Sequence, residues 1–288
     1  MTRHRAMTKH SDPGPGAAPA IELRGASKVF RTPSGAGHTA VRDLGLTVRQ
    51  GEFVAVVGPT GCGKSTTLTL VSGLDEPTEG EVLVGGEPVA GIRPEVGFVF
   101  QQDALFPWRT VLSNVMAGPR FRGVPKAEAK ERARDWLGRV GLAAFEDRYP
   151  HQLSGGQRKR VALAQTFVGE PRILLMDEPF SALDVQTRAL MSDELLELWG
   201  GASAPDAAAS VVFVTHDLEE AIALADRVVV MTAGPATVKE TFAVDLPRPR
   251  RVESVRLEPR FIEIYREIWS SLGEEVRITR ERGAGHAA

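Results

Sequence analysis

Nine consecutive residues, Gly58-Pro59-Thr60-Gly61-Cys62-Gly63-Lys64-Ser65-Thr66, carry the spacing G-x-x-x-x-G-K-[ST]. The glycines let backbone N–H groups approach an anion, and the loop opens a helix whose N-terminus also favours negative charge. In such a loop Lys64 reaches β- and γ-phosphates and the Ser65 hydroxyl is a ligand for Mg2+. From average residue usage, a chance match somewhere in this chain has a probability on the order of one in a hundred. Nucleotide binding follows, but kinases, GTPases, helicases and transport ATPases all share the loop. No Asn-Lys-x-Asp segment occurs, which weighs against a GTPase of the common kind. Cys62 fills a variable position and reads as a small loop residue in preference to a redox switch.

Two further groups of residues suit phosphate chemistry. Ile173-Leu174-Leu175-Met176-Asp177-Glu178 is an apolar run ending in two carboxylates. Successive strand side chains point to opposite faces, so the two acids should hold different jobs. Asp177 is assigned to the Mg2+ shell and Glu178 to polarising the attacking water as general base. The second group, Leu153-Ser154-Gly155-Gly156-Gln157, reads as a helix start with Ser154 at the N-cap and Gln157 completing a capping box. Two glycines in a first turn cost about 1 kcal/mol each relative to alanine. They also leave bare N–H groups suited to an anion. One nucleotide has one terminal phosphate, so two such sites in one chain could meet there if two copies face each other.

These residues need a scaffold, and the hydrophobic pattern supplies one. Short β-like runs at 21–30, 40–48, 52–57, 81–84 and 96–100 are interrupted by a single helix starting near Lys64 and carrying Leu68, Leu70, Val71 and Leu74. Residues 103–168 read as mostly helical, with Pro125 at a helix start. Strands return at 172–176, 210–215 and 227–231 with helices between, implying a parallel sheet buried on both faces with the helical block inserted into it. A last helix is expected over about 258–272. Residues 1–20 read as a disordered leader, 200–210 as a flexible loop of unread purpose, and 283–288 as a disordered tail.

Composition narrows the class. Of 288 residues 42% are hydrophobic and 25% charged, an ordinary globular balance, and the net charge is −2. That charge argues against a partner held by bulk electrostatics, so no nucleic acid is expected. No run of 18 apolar residues exists to span a bilayer, the N-terminus lacks the apolar stretch of a secretory signal, and one cysteine excludes an internal disulfide.

Taken together, the motifs resemble the ATP-binding subunit of ABC transporters over roughly residues 21–245. The LSGGQ signature stands at Leu153–Gln157, the Walker A loop at Gly58–Thr66 and the Walker B strand at Ile173–Glu178. Gln101 matches the Q-loop glutamine, Ser181-Ala182-Leu183-Asp184 the D-loop, and His216, in Val214-Thr215-His216-Asp217, the switch histidine. Phe30 falls where the family places an aromatic that stacks on adenine, and it reads equally as a core residue. The resemblance implies an α/β P-loop NTPase core with a mostly parallel sheet, an N-terminal antiparallel β-subdomain and an inserted helical subdomain. A helical extension over 246–282 would follow the ATP-binding domain. It also implies a homodimer closing over two MgATP. Lys64, Ser65, Gln101, Asp177, Glu178 and His216 of one copy would act with Ser154, Gly155, Gly156 and Gln157 of the other. Asp184 would lie at the dimer interface, and Gln101 would join Ser65 and Asp177 around the metal.

The branch of the family is narrowed by Asp103–Val111 (DALFPWRTV), Phe180–Arg188 (FSALDVQTR) and Glu267-Ile268-Trp269, which resemble the nitrate, sulfonate and taurine importer group. That implies import of a small, anionic solute through two separate membrane subunits at the cytoplasmic face of the cell membrane, with an extracytoplasmic binding protein. The segment 103–111 would form part of the groove for the membrane subunit, with Phe106 and Trp108 as interface anchors or core residues. The alternative readings are the ATPase of an exporter or lipid-transport system, and a soluble mechanical ABC ATPase.

Overall fold

The computed structural model describes residues 18–31, 37–200 and 208–285. An antiparallel sheet is built from β1 (Ile21–Arg31), β2 (Gly37–Val48), β4 (Glu79–Val84) and β5 (Glu87–Pro88), in the order β2-β1-β4-β5. A second sheet has β3 (Phe53–Val57), β6 (Val96–Val99), β7 (Ile173–Asp177), β8 (Ser210–Val214), β9 (Arg227–Met231) and β10 (Val238–Ala243), in the order β10-β9-β3-β8-β7-β6. Its neighbours run parallel except β10, which is antiparallel to β9. The two-sheet organisation and the helical insertion agree with the expected fold.

The period of two along each central strand divides its side chains between two cores. Phe53, Ala55 and Val57 of β3 join Leu174 and Met176 of β7 and Val211 and Phe213 of β8 in one cluster. Val54, Val56, Ile173, Leu175, Val212 and Val214 join the other, with Leu68, Leu70 and Val71 of α1 (Lys64–Ser72) and the inner face of β1 and β2. Both faces of the sheet are buried, so its strands are continuously apolar.

The helical lobe comprises α2 (Val111–Val115), α3 (Ala117–Phe121), α4 (Lys126–Arg139) and α5 (Gly155–Phe167), and its own core includes Val111, Leu137, Leu142 and Val161. The segment entering it is irregular before α2. Fully buried Asn114 holds that segment: its Oδ1 accepts the Phe106 N–H at 2.7 Å, and its Nδ2 donates to the carbonyls of Phe106, Arg109 and Thr110 at 3.0–3.2 Å. α6 (Val185–Gly200) and α7 (Leu218–Leu224) cover the large sheet. α8 (Val252–Val255) and α9 (Pro259–Gly285) close the chain against them.

Several boundaries differ from the sequence reading. α1 stops at Ser72, because Gly73 takes a left-handed φ of 72° and donates to the Leu70 carbonyl; Leu74 is thus outside the helix and half exposed. The expected leader is cut short at its end: Ala20 is 1% exposed and its N–H donates to the Val48 carbonyl at 2.9 Å. α9 runs past Leu272 through Gly285, beyond both the expected helix and the start of the expected tail. Among the described residues past Leu272 only Glu275 is buried, so the apolar spacing fades although the helix continues. Gly200 closes α6 and Ser210 opens β8, while residues 1–17, 201–207 and 286–288, on which the rest of those readings fall, lie outside the described residues. No helix of the described residues is long and apolar enough to cross a membrane.

Candidate functional site

β3 delivers the chain to Gly58 and α1 begins at Lys64, so the predicted phosphate loop lies between a buried strand end and a helix N-terminus. At Gly63, with φ of 121°, an added Cβ would stand 2.5 Å from the Ala40 carbonyl oxygen, so only glycine fits. Lys64 is 6% exposed, and its ammonium donates to the carbonyls of Gly58 at 2.9 Å and Pro59 at 3.0 Å. Among the described residues no carboxylate lies within ion-pair distance of it. A desolvated ammonium held only by neutral oxygens suits an anionic ligand, because burying an unpaired charge is otherwise costly.

β7 runs parallel beside β8 and ends at Asp177. The Ser65 hydroxyl donates to Asp177 Oδ1 at 3.0 Å, which puts two hard oxygen ligands side by side. Mg2+ is typically bound by one or two protein oxygens together with water and substrate phosphates, so this pair fits it. Burial pushes the Asp177 carboxyl above its ordinary range and the neighbouring Glu178 adds to the rise, while the Ser65 bond and Lys64 oppose it. Glu178 follows with a positive φ of 42°, a sparsely populated conformation for a residue with a side chain. Its N–H donates to Val214 at 2.9 Å and its carbonyl accepts from Ser181, so the turn is fixed from both sides. The Glu178 carboxylate lies 3.0 Å from His216 Nδ1, the residue just beyond β8. Asp177, the last residue of β7, thus turns to Ser65, and Glu178, in the left-handed turn that follows, turns to His216.

A cleft of about 530 Å3 gathers these groups: Gly63, Lys64, Ser65, Thr66, Thr60 and Gly61 from the loop, Glu178 and His216 from the strand ends, and Gln101 from beyond β6. Phe30 lies on its rim, 40% exposed and with the Lys28 ammonium 5.3 Å from its ring centre, so it is no core residue. Gly58, Pro59, Cys62 and Asp177 do not line it. Cys62 is 3% exposed, and burial pushes its thiol upward, as fits a packed loop residue.

The signature residues stand elsewhere. Ser154 caps α5 and Gln157 returns the bond, completing the capping box at 3.2 and 2.9 Å. None of Ser154, Gly155, Gly156 and Gln157 lines the cleft. They pack toward the start of α6, where a Cβ on Gly156 would come 3.1 Å from Thr187. Asp184 is exposed and caps α6, accepting the Thr187 N–H at 3.0 Å.

The sequence reading missed three supports. Lys159 of α5, 3% exposed, pairs with Asp103 at 2.7 Å and donates weakly to the Phe100 and Gln101 carbonyls, tying the signature helix to the Gln101 segment. In the sequence it is one of three consecutive basic residues and reads as solvated. Arg188 joins the 183–184 turn to the histidine segment, donating to the Leu183 carbonyl and pairing with Asp217, both at 3.0 Å. Glu220 is buried, beside Thr215. One oxygen accepts the Thr215 hydroxyl at 2.5 Å and the other has no partner.

Burial is the main cause pushing the Glu220 carboxyl to about 7; Asp217 and Glu178 add to the rise while Thr215 and Arg188 oppose it. A folded pKa above the ordinary 4.5 means that the associated stability is full below about 4.5 and is lost as pH rises through about 7. Glu220→Gln should therefore gain on the wild type between pH 5 and pH 8, by up to about 3 kcal/mol in urea unfolding. An unchanged difference across that range would contradict the buried acid.

Residues 41–181 match the ABC transporter family. An uncharacterized ABC transporter ATP-binding protein of Methanocaldococcus jannaschii is 45% identical over 89% of this chain and 92% of its own length. In Synechocystis, a nitrate import ATP-binding protein is 39% identical over 90% of this chain and 97% of its own. A bicarbonate transport ATP-binding protein there is 40% identical over 85% and 86%. Among solved structures, a dimeric, post-hydrolysis ATP-binding cassette bound to ADP and phosphate superimposes with a TM-score of 0.68 at 31% identity, covering 79% of this chain and all of that one. The chain belongs to the ABC transporter family as an ATP-binding subunit. It is an ATP hydrolase of the transport-coupled kind, and its relatives include the nitrate-type importers.

Proposed function

We propose that this subunit hydrolyses MgATP in a site completed by a second copy of itself and thereby drives uptake of a small anion such as nitrate, bicarbonate, taurine or another sulfonate. One observation carries the two-copy reading: Lys64, Ser65, Glu178 and His216 share one cleft, while Ser154–Gln157 present a second anion-binding helix start outside it. In the dimer, α5 of one protomer would cap the γ-phosphate held by its partner.

Within the cleft the loop N–H groups and Lys64 bind the phosphates. Mg2+, held by Ser65 with Asp177 and Gln101, would neutralise charge on the β- and γ-oxygens. Glu178 orients the attacking water and accepts its proton, and His216 holds the Glu178 carboxylate toward the γ-phosphate. Phe30 stacks on the base. Its removal should raise the KM for ATP roughly three- to tenfold with little change in kcat, the size of one aromatic stack. Steady-state kinetics of Phe30→Ala check this, and an unchanged KM contradicts it.

Coupling to the membrane is assigned to the groove between β6 and the helical lobe. That groove, about 250 Å3, is lined by Phe98, Phe100, Phe106 and Phe121, and Trp108 stands beside it 73% exposed. A helix of a separate permease subunit would seat there, placing this protein at the cytoplasmic face of the cell membrane, with two permease subunits and an extracytoplasmic binding protein. The 39% and 40% identity to nitrate and bicarbonate ATP-binding proteins supports an inorganic or sulfonate anion as cargo. Reconstitution with the neighbouring permease and binding protein tests this: nitrate, bicarbonate, taurine or a sulfonate should stimulate ATPase activity. Stimulation only by cationic or sugar solutes would contradict it.

A further inference from the structure

The end of α9 reaches the connection between β9 and β10 by polar contacts. Glu275, 6% exposed, accepts the Ala233 N–H at 2.7 Å and pairs with Lys239 at 2.9 Å. Arg282, two helical turns on and so on the same face, donates to the carbonyls of Ala233 and Gly234. Thr279 lies between them and donates back to the Glu275 carbonyl. The helix thus grips both the donor and the acceptors of one short turn, 232–237, which joins β9 to β10.

That turn backs the phosphate loop. A Cβ on Gly58 would stand 3.1 Å from Met231 Cβ, and one on Gly63 would stand 2.8 Å from Ala236 Cβ. Ala236 is itself locked to β2, donating to Ala40 at 2.8 Å and accepting from Arg42 at 3.0 Å. One end of the loop therefore packs closely on the last residue of β9 and the other on the turn itself. In the middle of the loop, Thr60, Gly61 and buried Cys62 border a cavity of about 400 Å3 shared with His38, Arg42 and Arg282, and a Cβ on Gly234 of the turn would stand 3.9 Å from Cys62 Cα. Displacement of the turn would pass into the loop, and binding geometry tolerates only about 0.5 Å of misplacement. A buried carboxylate with a fixed N–H and an ammonium is a directional anchor; removing it takes the acceptor from the Ala233 N–H, while Lys239 keeps Glu274 and the Ser271 carbonyl.

We infer that Glu275, with Arg282, is a positioning residue that sets nucleotide affinity through the 232–237 turn. The inference rests on the assignment of 58–66 as the phosphate-binding loop. In the full-length chain, Glu275→Ala should raise the KM for MgATP about fivefold and leave kcat within about twofold. Glu275→Gln, which keeps an oxygen for the Ala233 N–H, should restore most of the affinity. Arg282→Ala, at an exposed position, should raise KM about twofold without loss of fold. Ile268→Ala removes a fully buried apolar residue of the same helix. It should lower the melting temperature without moving KM. An unchanged KM in both Glu275→Ala and Arg282→Ala overturns the inference, as does an equal rise in Ile268→Ala. Lys64→Ala in the same assay separates the two readings. If it binds MgATP like the wild type, the loop assignment fails; if it loses binding while the α9 variants keep theirs, only the positioning role fails.

Discussion

Glu178→Gln should bind MgATP yet hydrolyse it roughly two to four orders of magnitude more slowly than the wild type, the usual worth of a positioned general base. The substitution keeps the size and the hydrogen bond toward His216, now 3.0 Å from the carboxylate, and removes only the ability to take a proton. The strained turn at Glu178 depends on backbone bonds to Val214 and Ser181, so the fold should be untouched. Nucleotide would remain unhydrolysed between two protomers, and the variant should accumulate as a dimer in MgATP by light scattering. Turnover near the wild-type rate would remove Glu178 from the base role and leave water activation to the phosphate itself or to His216.

Lys64→Ala and Ser154→Arg should each abolish hydrolysis, for different reasons. Lys64 supplies a desolvated positive charge whose partners among the described residues are two carbonyls, so its loss removes phosphate binding. Ser154→Arg places bulk and positive charge over the α5 N-terminus and forfeits the cap, which costs about 1 kcal/mol of helix stability. It leaves the cleft of its own chain intact, because none of the signature residues lines that cleft. Nucleotide binding measured by a fluorescent ATP analogue should therefore survive in Ser154→Arg and be lost in Lys64→Ala.

The parts of the site fixed by contiguous residues were legible in the sequence. The phosphate loop, the acidic strand end and the capped signature helix are each local patterns whose residue types state their chemistry. Strand alternation does not extend to Glu178: β7 ends at Asp177, and it is the left-handed turn at Glu178 that points the second acid elsewhere. Phe30 could not be resolved by alternation either, because a bulged edge-facing strand end and a core position look alike until burial is known. Lys159, Arg188 and Glu220 were illegible for a related reason: each is a charged residue on a helix, where the default reading is a solvated face, and only tertiary packing buries Lys159 and Glu220 and pairs Arg188 with Asp217. The same holds for Glu275, whose helix was expected to stop near Leu272 once apolar spacing gave way to a polar anchoring face.

The claim on which the rest depends is that the chain holds two halves of one site that meet only between copies. Mixing Lys64→Ala with Ser154→Arg protein tests it most directly. In the hybrid dimer one site combines an intact loop from one copy with an intact signature from the other. A one-to-one mixture should recover roughly a quarter of wild-type ATPase activity, half the dimers being hybrids with one sound site each. If the mixture stays as inactive as either variant alone, loop and signature do not act across the dimer, and the two-copy account is wrong.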